Sequence, residues 1–408
     1  MICKTRHVLA RLRFVQIAAL CLLVAACMPT RLSAVPSGDE ELAISVDGMS
    51  DVRFWGDEST PALISEGMGA YNREVALRRA AGERGLLPPS NFLAISGGGE
   101  DGAFGAGLLV GWTAAGNRPS FKIVTGISTG ALIAPFAFLG PAYDARLQEA
   151  YTTMSGRDVL ESRWFTAAIW GDAMADNAPL YKTVSRLVDQ PMLDAIAAEY
   201  AKGRLLLIGT TNLDARRPVI WNIGKIAASG NPKALELIRK LLVASAAVPG
   251  AFPPTMVDVE INGKHYQEMH VDGGAAAQVF VYPPNVDVAA LSRANDIVRQ
   301  RRLYVIRNAR LDPDWADVDR QTLSITERAV SSLIQTQGIG DLYRIYLASQ
   351  RDKIDFNLAY IPSSFNVPLP RPFDNHYMVE LFKLGYALGS KGYRWSKMPP
   401  GYADGSLP

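Results

Sequence analysis

The chain has 408 residues, of which 48% are hydrophobic and 20% charged, with 42 basic side chains against 40 acidic ones. This length suits one large α/β domain, or a domain with an appendage, and is ample for burying a core. The balanced charge argues against nucleic-acid binding. The richest basic stretch, residues 298–310, lacks the pattern of aromatic residues that stack on bases and is interpreted as a solvated helix end running into a buried strand.

The first residues have the pattern of a signal peptide. Lys4, Arg6, Arg11 and Arg13 make the start basic, and an apolar run follows over Phe14–Ala26. This run of 13 residues is too short to span a bilayer, which needs about 20. We therefore expect residues 1–26 to be a signal peptide that is removed.

The residues around Cys27 resemble a bacterial lipobox, in which the cysteine becomes the lipidated N-terminus. Val24-Ala25-Ala26-Cys27 carries this pattern, and Met28 resembles the residue preferred there for sorting to the outer membrane. The resemblance implies a lipoprotein anchored through Cys27 at the periplasmic face of an outer membrane. Ordinary cleavage after a small residue such as Ala34 is the alternative. With Cys27 acylated, no cysteine remains for a disulfide or a thiolate metal site.

The rest of the chain divides into five parts. Residues 27–60 are polar and irregular and predict a tether; residues 61–90 predict a helical extension, with a helix over Pro61–Glu83. An alternation of strands and helices then runs through a core at 91–285 and a C-terminal α/β part at 286–397, packed on the core and followed by a tail at 398–408. The segment 141–191 is rich in aromatic residues, which favours packing around the core over a lid or acyl-binding wall.

The predicted elements from residue 91 onward favour a mainly parallel sheet covered by helices on both faces. Strands are predicted at Phe92–Ser96, Lys122–Ile127, Arg204–Thr211, Val219–Asn222, Met256–Ile261, His265–Val271 and Leu303–Arg307. Helices are predicted at Ala103–Ala115, Thr129–Phe138, Pro232–Ser245, Ile325–Gln350 and His376–Lys391.

A glycine-rich loop follows the first of these strands. Gly97, Gly99 and Gly102 fit G-x-G-x-x-G, and such a loop offers backbone N–H groups to a bound phosphate or to the oxyanion of a reaction. A dinucleotide site also needs an acidic residue about 20 positions further on. No Asp or Glu occurs between Ala103 and Tyr143, so the sequence favours an oxyanion.

A serine lies where the next predicted strand ends. Ser128 stands within Gly126-Ile127-Ser128-Thr129-Gly130, a G-x-S-x-G pattern between a strand and a helix. Small neighbours allow the backbone to turn sharply there and leave the serine hydroxyl exposed, as in a nucleophile elbow. A third feature, Asp272-Gly273-Gly274, follows a later predicted strand.

These three features, in this order and each at a strand end, resemble the patatin-like phospholipases. The resemblance covers roughly residues 91–280 and includes the connecting segments 176–184, 209–222 and 244–258. It implies a three-layer α/β/α fold with Ser128 as nucleophile and Asp272 as base. Backbone N–H groups around Gly98 and Gly99 then form the oxyanion hole. The acidic Glu100-Asp101 pair departs from the plant-type loop, which has a basic residue before its last glycine.

The implied activity is hydrolysis of phospholipid or lysophospholipid esters through an acyl-Ser128 enzyme, with no metal and no other cofactor. Two alternatives stay open. An α/β-hydrolase triad needs Ser128, an acid such as Asp287 or Asp312, and His376. The second alternative is a non-catalytic, lipid-binding lipoprotein that has kept the fold of an ancestral hydrolase. The small number of histidines and the lack of H-E-x-x-H spacing argue against a metal enzyme.

Overall fold

The computed structural model describes residues 31–43, 45–159, 161–162, 175–313 and 315–402. The predicted signal peptide, Cys27 and most of the predicted tail lie outside these ranges. In chain order, the strands are β1 Ser45–Val46, β2 Met49–Ser50, β3 Arg53–Trp55, β4 Ser90–Ile95, β5 Ile123–Ile127, β6 Glu161–Ser162, β7 Ala175–Asp176, β8 Leu205–Asn212, β9 Arg217–Asn222, β10 Thr255–Ile261, β11 Lys264–Asp272, β12 Arg301–Arg307 and β13 Asp355–Tyr360.

These strands form one central sheet, apart from β6 and β7, which pair with each other in a separate two-stranded sheet. Helices cover both faces of the central sheet. In chain order, the α-helices are α1 Pro61–Ala80, α2 Gly102–Ala114, α3 Thr129–Leu139, α4 Asp144–Thr153, α5 Gly156–Val159, α6 Ala178–Leu187, α7 Gln190–Ala201, α8 Ile223–Ala227, α9 Ala234–Ser245, α10 Val288–Ala294, α11 Thr322–Arg351 and α12 Asn375–Ser390.

The central sheet has a parallel half and an antiparallel half. Its order is β13-β12-β4-β5-β8-β11-β10-β1-β2, and β9 pairs with β8 and β3. The strands from β13 to β8 run parallel, whereas β11, β10, β1 and β2 each run antiparallel to the preceding strand of that order. The α/β class is therefore confirmed, but the sheet is mixed rather than mainly parallel. One cause is the two-residue turn Asn262-Gly263, both with positive φ, which joins β10 to β11 as a hairpin.

Successive residues of each central strand enter different cores, which gives the fold its three layers. In β4, Leu93 and Ile95 pack in the front core, whereas Phe92 and Ala94 pack in a rear core. Helices α2, α3, α9 and α12 contribute to the front core. At the rear, α11 contributes Leu342 and α1 contributes Ala70 to two smaller cores. Because both faces of these strands are covered, they read as continuous apolar runs.

Part of the predicted tether is folded, which corrects the sequence-based prediction for residues 27–60. Strands β1 to β3 join the main sheet, and their side chains Val46, Met49 and Phe54 are buried. Arg31 Nη1 also forms an ion pair with Asp214 Oδ1 at 2.8 Å. These strands have two or three residues each, too short for a periodic signal that would distinguish them from an irregular segment.

The C-terminal part at 286–397 contributes strands β12 and β13 to the same sheet as the predicted core at 91–285. Strand β12 lies between β4 and β13, and helix α12 packs against α2 in the front layer. Within the segment 141–191, α4 and α6 bury side chains in the front core, which fits packing rather than a lid; residues 163–174 lie outside the described ranges. No helix among the described residues is long and apolar enough to cross a bilayer.

Candidate active site

Ser128 lies at a sharp turn between β5 and α3. Its backbone angles are φ 55° and ψ −127°, a conformation that a residue with a side chain rarely adopts. The turn is possible because its neighbours are glycines: a Cβ at Gly126 would come within 2.4 Å of the Gly130 carbonyl oxygen, and one at Gly130 within 2.3 Å of the Ile95 carbonyl oxygen. This is the geometry of a nucleophile elbow.

The carboxylate of Asp272, at the end of β11, lies close enough to the Ser128 hydroxyl for that hydroxyl to stabilise its charged form. Its Oδ1 accepts the N–H of Gly274 at 2.7 Å, which fixes the carboxylate. Strand β8 separates β5 from β11, and Gly209 of β8 has no side chain to intervene. A Cβ at Gly273 would come within 2.6 Å of the Gly209 carbonyl oxygen, so glycine keeps the turn close.

Asp272 is buried, with 4% of its surface exposed, and no cationic side chain of the described residues pairs with it. Burial raises the pKa of Asp272 to about 6, although the adjacent Ser128 hydroxyl and the Gly274 N–H act in the opposite direction. An aspartate with this pKa is a better proton acceptor than one in water, and it is still largely ionised at neutral pH.

The glycine-rich loop lies directly against Ser128. A Cβ at Gly97 would be 3.1 Å from the Ser128 Cβ, and one at Gly98, where φ is 152°, would meet the Asn308 carbonyl oxygen at 2.0 Å. The N–H of Gly97 donates to Gln278, but within the described ranges the N–H groups of Gly98 and Gly99 have no hydrogen-bond acceptor. These two donors line the same cleft as Ser128 and Asp272. Gly102 packs on the Thr129 side chain behind the loop.

Three residues missed by the sequence analysis set the direction of the Gly98 N–H. The Gly97 carbonyl oxygen accepts from Ser96 Oγ at 2.7 Å and, in a longer contact, from Arg307 Nη1 at 3.5 Å. Asn308 in turn fixes the Ser96 hydroxyl, because the Asn308 N–H donates to Ser96 Oγ at 2.8 Å. In a trans peptide the N–H points away from the carbonyl oxygen, so these contacts direct the Gly98 N–H away from Arg307.

Arg307 also places a positive charge beneath the glycine-rich loop. Its guanidinium is buried against Gly338, its Nε has no hydrogen-bond partner in the part of the chain that the structure describes, and burial lowers its pKa to about 10. The loop itself carries Glu100 and Asp101 instead of a basic residue. In the fold, Arg307 supplies that charge from the end of β12, outside the loop. The closeness of Arg307 to the loop is visible only once the strand order is known, because β12 pairs with β4.

Ser245, the last residue of α9, was also not predicted as a site residue. It fixes the nucleophile elbow by contact with the Ser128 backbone. Its Oγ accepts the Ser128 N–H at 3.0 Å and donates to the Gly209 carbonyl oxygen at 2.6 Å. Because the Ser128 N–H already donates to Ser245, it is not free to bind an oxyanion. The N–H groups of the glycine-rich loop are the donors that remain for this role. Ser245 stands in the segment 244–258 that carried part of the family resemblance, but a serine near a helix end gives no separate signal in the sequence.

A cleft of about 940 Å³ opens in front of Ser128, Asp272 and the loop. Its outer walls are largely apolar and contain Val248, Val330, Ile334, Phe365, Val367 and Leu369. Asp101, at the inner end, accepts a hydrogen bond from the Tyr377 hydroxyl at 2.6 Å, and burial raises its pKa to about 7. The described residues contain no group of three or more His, Cys, Asp or Glu that could hold a metal ion.

The residues of the alternative triad are not assembled. His376 is exposed in the first turn of α12 and does not line the cleft. Asp287 caps α10, where its Oδ1 accepts the Ala290 N–H at 2.6 Å, and Asp312 pairs with Arg310. Of the other described histidines, His265 is exposed and His270 is buried against Glu268 and Thr210. No histidine of the described residues therefore contacts Ser128.

Residues 93–285 match the family model described as patatin-like phospholipase, which confirms for this segment the resemblance that the three motifs carried. The matched segment contains Ser128, Asp272 and the glycine-rich loop, and it is just under half of the chain. A comparison with curated proteins gave no match. The family match supports lipid hydrolysis as the activity.

Three solved structures are similar to this chain at low sequence identity. VipD from Legionella pneumophila is 12% identical, with a TM-score of 0.35 over 75% of this chain and 66% of that chain. Human GIVD cytosolic phospholipase A2 is 10% identical, with a TM-score of 0.32 over 81% and 56%. ExoU of Pseudomonas aeruginosa, solved in complex with SpcU, is 12% identical, with a TM-score of 0.26 over 75% and 52%.

Proposed function

We propose that this chain hydrolyses acyl esters of phospholipids or lysophospholipids, with Ser128 as nucleophile and Asp272 as general base. The observation that carries the proposal is the position of the Ser128 hydroxyl, on its strained turn, next to the buried carboxylate of Asp272 in one cleft. A serine hydroxyl needs a base to remove its proton, and a direct, buried carboxylate is such a base.

In the first half of the reaction, Asp272 takes the hydroxyl proton while Ser128 Oγ attacks the ester carbonyl carbon. The carbonyl oxygen becomes an oxyanion and accepts the N–H groups of Gly98 and Gly99, which need no rearrangement to donate. The intermediate then collapses as the bond to the alcohol breaks. Asp272 returns its proton to the alcohol oxygen, which leaves an acyl ester on Ser128.

Hydrolysis of that acyl ester uses the same groups in the same order. Asp272 takes a proton from water, the hydroxide attacks the acyl carbon, and the second oxyanion again accepts the loop N–H groups. The Ser128–acyl bond breaks, the proton returns to Ser128 Oγ, and a fatty acid leaves. Nothing is oxidised or reduced, so neither half requires a cofactor.

The lipid part of the proposal is supported by the cleft walls and by the family match. Apolar side chains from α11 and from residues 365–369 face the space in front of Ser128, where a long acyl chain loses contact with water. Removing one acyl CH₂ group from water is worth about 0.8 kcal/mol, so chain length should strongly affect KM.

Incubation of the purified protein with defined phospholipids, lysophospholipids and short soluble esters tests this function. Products are resolved by mass spectrometry, with Ser128→Ala as the inactive control. The proposal expects release of long-chain fatty acid and labelling of Ser128 by a fluorophosphonate. Cleavage of short esters alone contradicts the lipid substrate, and unchanged activity in Ser128→Ala contradicts the nucleophile.

We also propose that lipid on Cys27 anchors the protein at the periplasmic face of an outer membrane. The support is the lipobox-like sequence before Cys27 and the Met28 that follows it. Two or more acyl chains give stable membrane anchoring, whereas one chain alone gives only marginal binding.

Metabolic labelling of cells with an alkyne fatty acid tests the anchor. The wild-type protein should be labelled and should fractionate with the outer membrane, and Cys27→Ala should lose both properties. Equal labelling of the two proteins contradicts lipidation at Cys27, and labelled protein in the inner-membrane fraction contradicts the location.

A further inference from the structure

A second cleft, here called the rear cleft, lies on the face of the sheet opposite α2 and α3. It has a volume of about 190 Å³ and runs between α1, the sheet and the segment 281–301. Its apolar lining comes from all three: Leu63, Ile64, Met68, Ala70, Phe92, Ile123, Leu205, Leu207, Val281, Val286, Leu291 and Ile297. The proposed reaction uses none of these side chains.

One end of the rear cleft is basic. Lys122, Arg299 and Arg301 line it near the amino ends of the parallel strands, together with the carboxylate of Glu74. Glu74 pairs with both Lys122 Nζ at 2.8 Å and Arg299 Nη1 at 2.6 Å. One carboxylate therefore serves two cations, and Arg301 adds a third positive charge.

Arg301 has no carboxylate partner among the described residues. Its Nη2 donates to the Ser292 hydroxyl at 2.7 Å, and burial together with the charge of Arg299 lowers its pKa. The nearby carboxylate of Asp352 already pairs with Arg351 and accepts the Tyr282 hydroxyl. The other acid that lines the cleft, Glu66, pairs with Arg73.

We infer that the rear cleft binds a long-chain fatty acid, with the alkyl chain along the sheet and the carboxylate beside Arg301. Apolar walls that end in surplus positive charge are complementary to a single-chain amphiphile with an anionic head. The half-buried guanidinium of Arg301 is stabilised by a hydrogen-bonded counter-ion, which the fatty acid carboxylate supplies. Neutral lipids lack that group.

This site is separate from the catalytic cleft. Lys122 precedes β5 and Ser128 follows it, so the two ends lie about 20 Å apart at about 3.3 Å per residue. Binding at the rear cleft does not depend on the proposed function. A fatty acid is also the product of the proposed reaction, so any effect of the rear cleft on turnover would be feedback by product.

The test measures binding of dodecanoate and of dodecanol to Ser128→Ala protein by calorimetry. We expect dodecanoate to bind at least tenfold more tightly than dodecanol, and Arg301→Gln to remove that difference. Arg302→Gln is the matched control, because Arg302 is the exposed next residue on the same strand. Ala70→Leu, which places a larger side chain in the cleft, should weaken both ligands.

Three outcomes overturn the inference: equal affinity for the acid and the alcohol, unchanged dodecanoate binding in Arg301→Gln, or equal losses in Arg301→Gln and Arg302→Gln. If Ala70→Leu stays folded by circular dichroism and binds dodecanoate like its parent, the ligand lies elsewhere and the assignment fails. Failure of the catalytic proposal is distinguishable, because these measurements use Ser128→Ala and detect no turnover.

Discussion

Two buried carboxylates on strand β11 differ sharply in their surroundings. Glu268 and Asp272 are four positions apart, have 1% and 4% of their surface exposed, and lie on the same side of the strand. Glu268 accepts Arg53 Nη2 at 2.9 Å and contacts His270 Nε2 at 3.1 Å. Asp272 accepts the Gly274 N–H and lies beside the Ser128 hydroxyl, and no cation of the described residues pairs with it.

The difference separates an ion pair that holds the fold from a base that is ready to accept a proton. Burial alone raises the pKa of both groups. For Glu268, the hydrogen bond from His270 and the charge of Arg53 outweigh burial and lower its pKa to about 2. For Asp272, burial outweighs the contributions of the Ser128 hydroxyl and the Gly274 N–H, and its pKa rises to about 6. A buried acid without a cation is therefore a better indicator of chemistry than burial or charge alone.

The largest effect is expected for Asp272→Asn. The amide keeps the shape of the side chain and can still accept the Gly274 N–H, but it cannot take the Ser128 proton. Loss of a general base typically lowers turnover by about 10²–10⁴. Initial rates on one phospholipid, with folding checked by circular dichroism, measure this. Asp272→Asn with near wild-type turnover would contradict the proposed role.

Glu268→Gln should change stability instead of turnover. Removing one partner of a buried ion pair typically costs about 3–5 kcal/mol, because the other charge, here Arg53, stays buried without its counter-ion. Urea unfolding should show this loss, and kcat per folded molecule should stay within twofold. A fall in kcat comparable with that of Asp272→Asn would remove the distinction between the two carboxylates.

Arg307→Met should lower kcat about tenfold, with little change in KM. We expect the guanidinium to act through the Gly97 carbonyl, which its Nη1 contacts at 3.5 Å, and not as an oxyanion donor itself, so its loss should cost less than the 10² or more of a lost oxyanion donor. Arg302→Met, exposed on the same strand, is the matched control.

Gly338→Ala perturbs Arg307 without removing its charge. A Cβ at Gly338 would lie 2.5 Å from Arg307 Nη2, so the guanidinium must shift, and a smaller fall in kcat should follow. A folded Arg307→Met with unchanged kcat would show that the loop N–H groups need no support from β12.

The pH dependence of kcat/KM should follow Asp272. Below its pKa of about 6 the carboxyl is protonated and cannot accept the Ser128 proton, so the rate should fall tenfold per pH unit; above it the rate should reach a plateau. Asp101→Asn tests the assignment, since Asp101 also lines the cleft and has a pKa of about 7. If the fall in rate near pH 6 disappears in Asp101→Asn, the titrating group is Asp101, and its assignment to Asp272 is contradicted.

Local sequence predicted the elements that carry the site, because each motif sits where a strand of clear apolar pattern ends. The glycine-rich loop, Ser128 and Asp272 follow β4, β5 and β11, and the fold brings all three together. Arg307 and Ser245 escaped prediction because their roles depend on strand order and on contacts between distant segments. The antiparallel half was missed, although Asn262-Gly263 is a hairpin signal that can be read from sequence.

His376→Ala should have the smallest effect. His376 is exposed at the start of α12, outside the cleft, and a surface change there typically alters stability by less than about 0.5 kcal/mol. Turnover should stay within twofold of wild type. A Ser-His-Asp triad makes the opposite prediction, because its members act as a unit and loss of the histidine costs nearly as much as Ser128→Ala. Initial rates of His376→Ala, Ser128→Ala and Asp272→Asn on one ester decide between them: an inactive, folded His376→Ala beside an active Asp272→Asn would establish the triad in place of the dyad.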